Sequence, residues 1–257
     1  YNILGDSTTV QGFSRKHITD FYDREYLVPE RIIIAAAGNI SHQQMLENFA
    51  SRFAHLTGHA APCSPAPVPR RHTAFHYRSL EQVHVCLGTL GVSHLNPDRY
   101  ALYAANAILG GSMSSRLFQE IRENRGLAYS IYSFTASFYD TGVFGVYMGV
   151  DKQTLRKALQ IILATMAQLR DQCVDGAELR NAQEQLKGNM LLALESTDSR
   201  MSRLAKCEIY YQEYIPVDEV IRGIDALTAE DIQALTRSLL KDEYCIYTFF
   251  GPVRKKD

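Results

Sequence analysis

The chain has 257 residues, with 27 Lys and Arg against 28 Asp and Glu, for a formal net charge of −1. That balance offers no basic surface to a nucleic acid or an anionic membrane. With 46% hydrophobic and 21% charged residues, the composition is that of a folding chain, long enough for one large domain or one domain and part of another.

Ser14 reads as the N-cap of a helix running towards Tyr26, with Ile18, Phe21 and Tyr22 on one face and Pro29 ending it. Residues 31–38 read as a short buried strand stopped at Gly38-Asn39, and Ser41 opens a second helix towards Phe53. Pro62, Pro65, Pro67 and Pro69 rule out a helix over 58–69 and mark an extended linker and a domain boundary. Beyond it, 74–80 and 82–89 read as strands, the second alternating Val83, Val85 and Leu87 against Gln82, His84 and Cys86. Asn96-Pro97 gives an N-cap and a first-turn proline for a helix through Leu102, Ala105 and Leu109 that stops at Gly110-Gly111.

Ser114 or Ser115 starts another helix, carrying Leu117, Phe118 and Ile121 and closed by Gly126. Residues 127–138 and 143–150 form a hairpin about the turn Tyr139 to Gly142. Asp151 caps a long amphipathic helix (Leu155, Leu159, Ile162, Met166, Leu169), and Asp175 with Glu178 makes a capping box for the next (Leu179, Ala182, Leu186, Met190). Two or three further helices fill 198–240, and a last strand over 243–250 stops at Gly251-Pro252. The class is α+β, an antiparallel sheet covered by long helices on one face.

A repeat runs through this pattern. Phe13-Ser-Arg-Lys-His-Ile-Thr-Asp-Phe21 matches Leu227-Thr-Ala-Glu-Asp-Ile-Gln-Ala-Leu235 at an offset of 214 residues, and each helix is followed by an apolar stretch ending in glycine, at Gly38 and Gly251. If the period holds, roughly 130 residues of the first copy precede Tyr1.

No run approaches the roughly 18 apolar residues of a membrane span, and no leader pattern opens the chain at Tyr1. Five scattered cysteines without a C-x-x-C pair argue for reduced thiols, and the expected setting is cytoplasmic. Cys86 and Cys245 lie in apolar strand patterns and read as small core residues. His55 with His59, and His72 with His76, have the i, i+4 spacing of a helical metal pair, but glycine or proline interrupts each and neither has a glutamate base. They read as solvated histidines, and His17, His42, His84 and His94 stand alone. No metal site is assigned.

The string Gly110-Gly-Ser-Met-Ser-Ser-Arg-Leu-Phe118, then Glu120-Ile-Arg-Glu-Asn-Arg-Gly-Leu-Ala-Tyr129-Ser, together with the strand end Ala36-Ala37-Gly38-Asn39, resembles the zinc metallopeptidases of the pitrilysin, insulinase and mitochondrial processing peptidase family, most closely their bacterial branch. The resemblance covers most of the chain, from about Phe13 to Pro252. It implies two similar halves closing around an extended peptide. The first half bears zinc on H-x-x-E-H plus a distal Glu; the second has no metal and contributes an Arg and a Tyr.

On that basis residues 1–57 are the tail of the zinc-bearing half, 58–73 the connector and 74–257 a whole second half, in a two-half repeat architecture with the first half truncated. H-x-x-E-H is absent, so zinc is expected in the full-length enzyme and not here. The implied Arg and Tyr fall on Arg122 and Tyr129, with Arg125 the rival for the former. A guanidinium stays charged at every working pH and a phenol can donate to a developing oxyanion. From spacing alone, Arg122 reads equally as a surface residue and Tyr129 as one of 15 tyrosines packed on a sheet. The expected partners are a peptide substrate and a dimeric mate, a second copy or a zinc-bearing subunit. The alternatives are a non-catalytic partner or scaffold subunit of the same family, and a peptide-binding α+β domain without hydrolysis.

Overall fold

In the computed structural model, which describes residues 3–57, 67–68 and 70–255, the elements in chain order are α1 (Ser7–Gln11), α2 (Arg15–Glu25), α3 (His42–Phe53), β1 (His72–Tyr77), β2 (Val83–Gly91), α4 (Arg99–Leu109), β3 (Ala128–Ser137), β4 (Gly142–Val150), α5 (Leu155–Asp171), α6 (Gly176–Ala193), α7 (Thr197–Tyr211), α8 (Val217–Asp225), α9 (Ala229–Leu239) and β5 (Ile246–Gly251). The proline-rich linker at 58–69 lies almost wholly outside the described residues, as do His59 and Cys63. The chain groups into two compact units, Tyr1–Pro65 with Ser196–Gln212, and Ala66–Glu195 with Glu213–Asp257.

In the larger unit, alternation in β2 decides the packing. Val83, Val85 and Leu87 are buried because every second side chain of a strand shares a face. Their antiparallel partners in β4, Val150, Met148 and Val146, are buried with them, and Leu102 and Leu109 of α4, Ile162 and Leu169 of α5 and Ile232 of α9 close the layer. Each such side chain contributes about 1.5–3 kcal/mol by leaving water.

The strand order is β1-β5-β2-β4-β3. The α+β reading stands, with one refinement: β1 runs parallel to β5, so the sheet is mixed at that edge, where Phe75 stacks on Phe249 at 4.8 Å. Cys86 corrects the core reading. It is exposed, because it sits one residue out of phase with Val85 and Leu87. Cys245 is buried, but just ahead of β5 rather than in it.

Three helix starts also differ from expectation, two of them because a side chain finds another partner. Asn96 does not cap α4; its Oδ1 accepts from the Asp98 N–H at 2.8 Å, a local turn that delays the helix to Arg99. α5 begins behind Thr154, three residues after Asp151. Asp175 does cap α6, accepting from the N–H groups of Ala177 and Glu178, but the Glu178 carboxylate completes no box because Arg116 takes it.

The smaller unit has its helix caps in place: Ser14 and Ser41 each form a capping box, with His17 and Gln44. Its α1, α2 and α3 nevertheless bury no residue. The expected strand at 31–38 is corrected here. Arg31 closes a 3₁₀ turn and the residues after it are irregular, joining no sheet among the described residues, and Ile33 and Ile34 are 41% and 42% exposed. A strand exists only as one member of a hydrogen-bonded pair, and no described segment supplies the other.

The repeat is visible in local structure. α2 and α9 both span 11 residues behind a capping box. Each is followed by a 3₁₀ turn, Pro29–Arg31 and Asp242–Tyr244. Each copy then ends on a glycine of the same unusual conformation, Gly38 at φ 143° and Gly251 at φ 142°.

Candidate functional site

The two residues singled out by the sequence come together at one end of the sheet. Helical structure starts at Arg116 and widens at once into a π-helix, Phe118–Glu123, with the Asn124 N–H donating to the Gln119 carbonyl at 2.8 Å. Leu117 and Ile121 face the core, both fully buried. Phe118 and Arg122, four apart, lie along another face, and the Arg122 guanidinium carbon stands 4.8 Å from the Phe118 ring centroid. Gly126, at φ 57°, turns the chain. Its N–H donates to Arg122 and that of Leu127 to Ile121, which leads directly into β3.

Tyr129 is the extra residue of a β-bulge: Ala128 pairs with Val150 and Ser130 with Gly149, leaving Tyr129 between them without an opposite number. Bulges of this kind re-aim a side chain. Here the ring comes to 5.1 Å from the Arg122 guanidinium, so the cation is shared between two aromatic faces. Tyr129 is 76% exposed.

The rival cation is occupied. Arg125 donates to Glu120 through Nη2 at 2.8 Å and Nε at 3.2 Å. In an α-helix, neighbours lie three or four apart; i→i+5 closure brings residues five apart to the same side. Among the described residues Arg122 has Glu123 for its ion-pair partner, at 3.8 Å. Arg122 and Tyr129 line an open cleft of about 360 Å³ with Gln82, Leu127, Gly149 and Asp151; Arg125 does not. Sequence reading missed Phe118, although its i, i+4 spacing from Arg122 was visible. It also missed Gln82, Gly149 and Asp151, which only strand order brings together.

Gly110 does more than end α4. A Cβ there would stand 2.5 Å from the Ser133 backbone nitrogen, which donates to the Gly110 carbonyl at 3.1 Å. The glycine lets the helix end touch β3.

Among the described residues no group of three or more His, Cys, Asp or Glu is placed to hold a metal. His72 and His76 lie on β1, about 13 Å apart at the ~3.3 Å rise of a strand, too far to share an ion. No described helix is long and apolar enough to cross a membrane.

A model of the peptidase M16 inactive domain matches residues 12–186. The chain belongs to the M16 peptidase family. An uncharacterized zinc protease of Bacillus subtilis is 35% identical over 248 residues, covering 96% of this chain and 60% of its own length. One of Streptomyces coelicolor is 34% identical over 263 residues, covering 99% and 57%. The chain thus spans about three-fifths of these relatives. The peptidase M16 inactive domain of Pseudomonas fluorescens shares the fold at TM-score 0.87 and 22% identity, over 97% of this chain and 60% of that one. A Helicobacter pylori protease does so at 0.83 and 22%, over 97% and 61%. The M16 match is thus to the domain described as inactive, within a family whose relatives are named zinc proteases.

Proposed function

We propose that this chain supplies the substrate-gripping, metal-free half of a zinc-dependent endopeptidase, and that Arg122 and Tyr129 hold the backbone of an extended peptide. The observation that carries this reading is the Arg122 guanidinium held between the Phe118 and Tyr129 rings at the edge of an open cleft. Ring faces steady the cation without using its N–H donors, which stay available to peptide carbonyls. The exposed Tyr129 hydroxyl can donate to the same chain or to charge that develops on it.

Residues 1–57 then belong to the first, zinc-bearing half, 58–73 connect, and 74–257 form the second half. The exposed apolar faces of α2 and α3 and the segment at 32–38, which joins no sheet among the described residues, support this division. So does the repeat, in which the counterpart β5 is paired on both sides. The described donor groups do not fit zinc, so no chemical step is routed through it here. The metal belongs to the other half, in the same polypeptide or in a dimeric mate.

The test has two arms. The chain should bind unstructured peptides without added zinc, and Arg122→Ala should weaken that binding by at least tenfold. The coding sequence ahead of Tyr1, or a co-purifying subunit, should carry H-x-x-E-H. Absence of peptide binding, or one tightly held zinc per molecule of this chain, overturns the reading.

A scaffold role is the second reading. It is favoured by a chain of Complex III2 from Candida albicans, which has the same fold at TM-score 0.80 and 20% identity, over 99% of this chain and 63% of that one. Lack of H-x-x-E-H in every associated polypeptide would select it.

A further inference from the structure

Leu117 and Ile121 bury the short helix that carries Arg122, but apolar burial is non-directional and does not fix how far that helix is rolled about its axis. An ion pair to α6 is directional. Arg116, at the first turn, reaches the first turn of α6: its Nε donates to Glu178 Oε1 at 2.7 Å and its Nη2 to Oε2 at 2.5 Å. The side chains are only 21% and 30% exposed, against 46% and 41% for the Arg125–Glu120 pair. A planar fork meeting a carboxylate through two parallel bonds tolerates one orientation, unlike a point charge.

Glu178 is itself anchored. Its own N–H is held by Asp175 at 2.8 Å, and its carboxylate is given to Arg116 rather than to capping α6. The hydrogen bond to Glu178 raises the already high Arg116 pKa further, so the fork remains charged.

We propose that Arg116 and Glu178 are positioning residues for the peptide grip: the pair sets the roll of the π-helix and thereby keeps Arg122 between Phe118 and Tyr129. This rests on the peptide-gripping reading above. A displacement of about 1 Å can slow a catalysed step by up to about a hundredfold, so a modest roll would matter although neither residue lines the cleft.

The test compares Arg116→Lys and Glu178→Gln with Lys187→Ala in the 257-residue chain. Lys187 also ties α6 to a neighbouring helix, by a 2.7 Å ion pair with Asp225 of α8, but lies outside the cleft lining. Two readouts are taken. One is affinity for a fluorescein-labelled unstructured peptide. The other is the Nε–H proton resonance of Arg122, which ring currents from the two aromatic faces displace.

Arg116→Lys and Glu178→Gln should weaken peptide binding about tenfold and move the Arg122 resonance towards that of a free arginine. Lys187→Ala should lower Tm while leaving both readouts at wild type. If Arg116→Lys leaves the Arg122 resonance unchanged, or if Lys187→Ala moves it equally, the positioning role is overturned. The resonance is read without peptide, so failure of the grip itself shows separately, as wild-type chain that binds no peptide.

Discussion

The Arg122 guanidinium lies 5.1 Å from the centroid of the Tyr129 ring, on the far side of a reversal made by Gly126. Neither residue holds this position alone. A π-turn supplies one and a β-bulge the other, and both irregularities fall within a dozen residues of chain.

Tyr129→Phe keeps the ring and removes the hydroxyl. It should therefore preserve the stacked cation and peptide affinity to within about threefold, while in a full-length active enzyme it lowers kcat with little change in KM. Tyr129→Leu removes the ring as well, at about 0.5–1 kcal/mol for an exposed cation–π contact, and should weaken peptide binding measured by fluorescence anisotropy. Equal kcat for Tyr129→Phe and wild type would take the phenol out of the chemistry.

Arg125→Ala separates the two arginines. Because Glu120 already neutralises Arg125, its loss should change peptide affinity less than twofold, whereas Arg122→Ala costs at least tenfold. An exposed pair of this kind contributes about 0–1 kcal/mol to stability. The reverse ranking in a titration would reassign the cation.

Gly110→Ala should destabilise the fold by about 1–3 kcal/mol, because the new Cβ forces the end of α4 off the β3 backbone. Gly126→Ala should cost ~1–2 kcal/mol through its left-handed φ alone, since nothing lies within 4 Å of its Cβ position. Urea unfolding gives both values. A harmless Gly110→Ala would mean that the helix end and strand can part without loss.

Asp175 makes stability depend on pH. The N–H groups of Glu178 and Ala177 hold its carboxyl below the ordinary value of 3.8. Its contribution is therefore present above that value and is lost as pH falls through the lower folded-state one. Asp175→Asn keeps a good cap without the titration. The variant should lose less stability than wild type between pH 6 and pH 3; parallel acid-unfolding curves would refute the assignment.

Much of this was legible in the sequence, for physical reasons that also explain the gaps. β2, β3 and β4 showed as alternation and a turn, and Ser14, Ser41, Asp175 and Thr228 cap their helices, because these signals act within a few residues. The fate of 31–38 was not legible, since pairing depends on a partner distant in sequence. Nor was the choice of Glu178, where a local cap and a salt bridge 62 residues away compete for one carboxylate. Cys86 was readable: the phase that buries Val85 and Leu87 puts the residue between them on the opposite face. The candidate grip was half visible. The spacing of Arg122 and Tyr129 could be read off, but the π-turn that aims one and the bulge that aims the other leave no mark on residue type.

The apolar segment behind the Pro29–Arg31 turn has a practical consequence. Ile33 and Ile34 are exposed and the main chain has no sheet partner among the described residues, so its N–H and C=O groups are open to pairing with a foreign strand. Handled by itself at high concentration, the polypeptide should self-associate through this stretch. A lysine in place of Ile33 or Ile34 should keep it dispersed, with the cleft at Arg122 and Tyr129 unaltered.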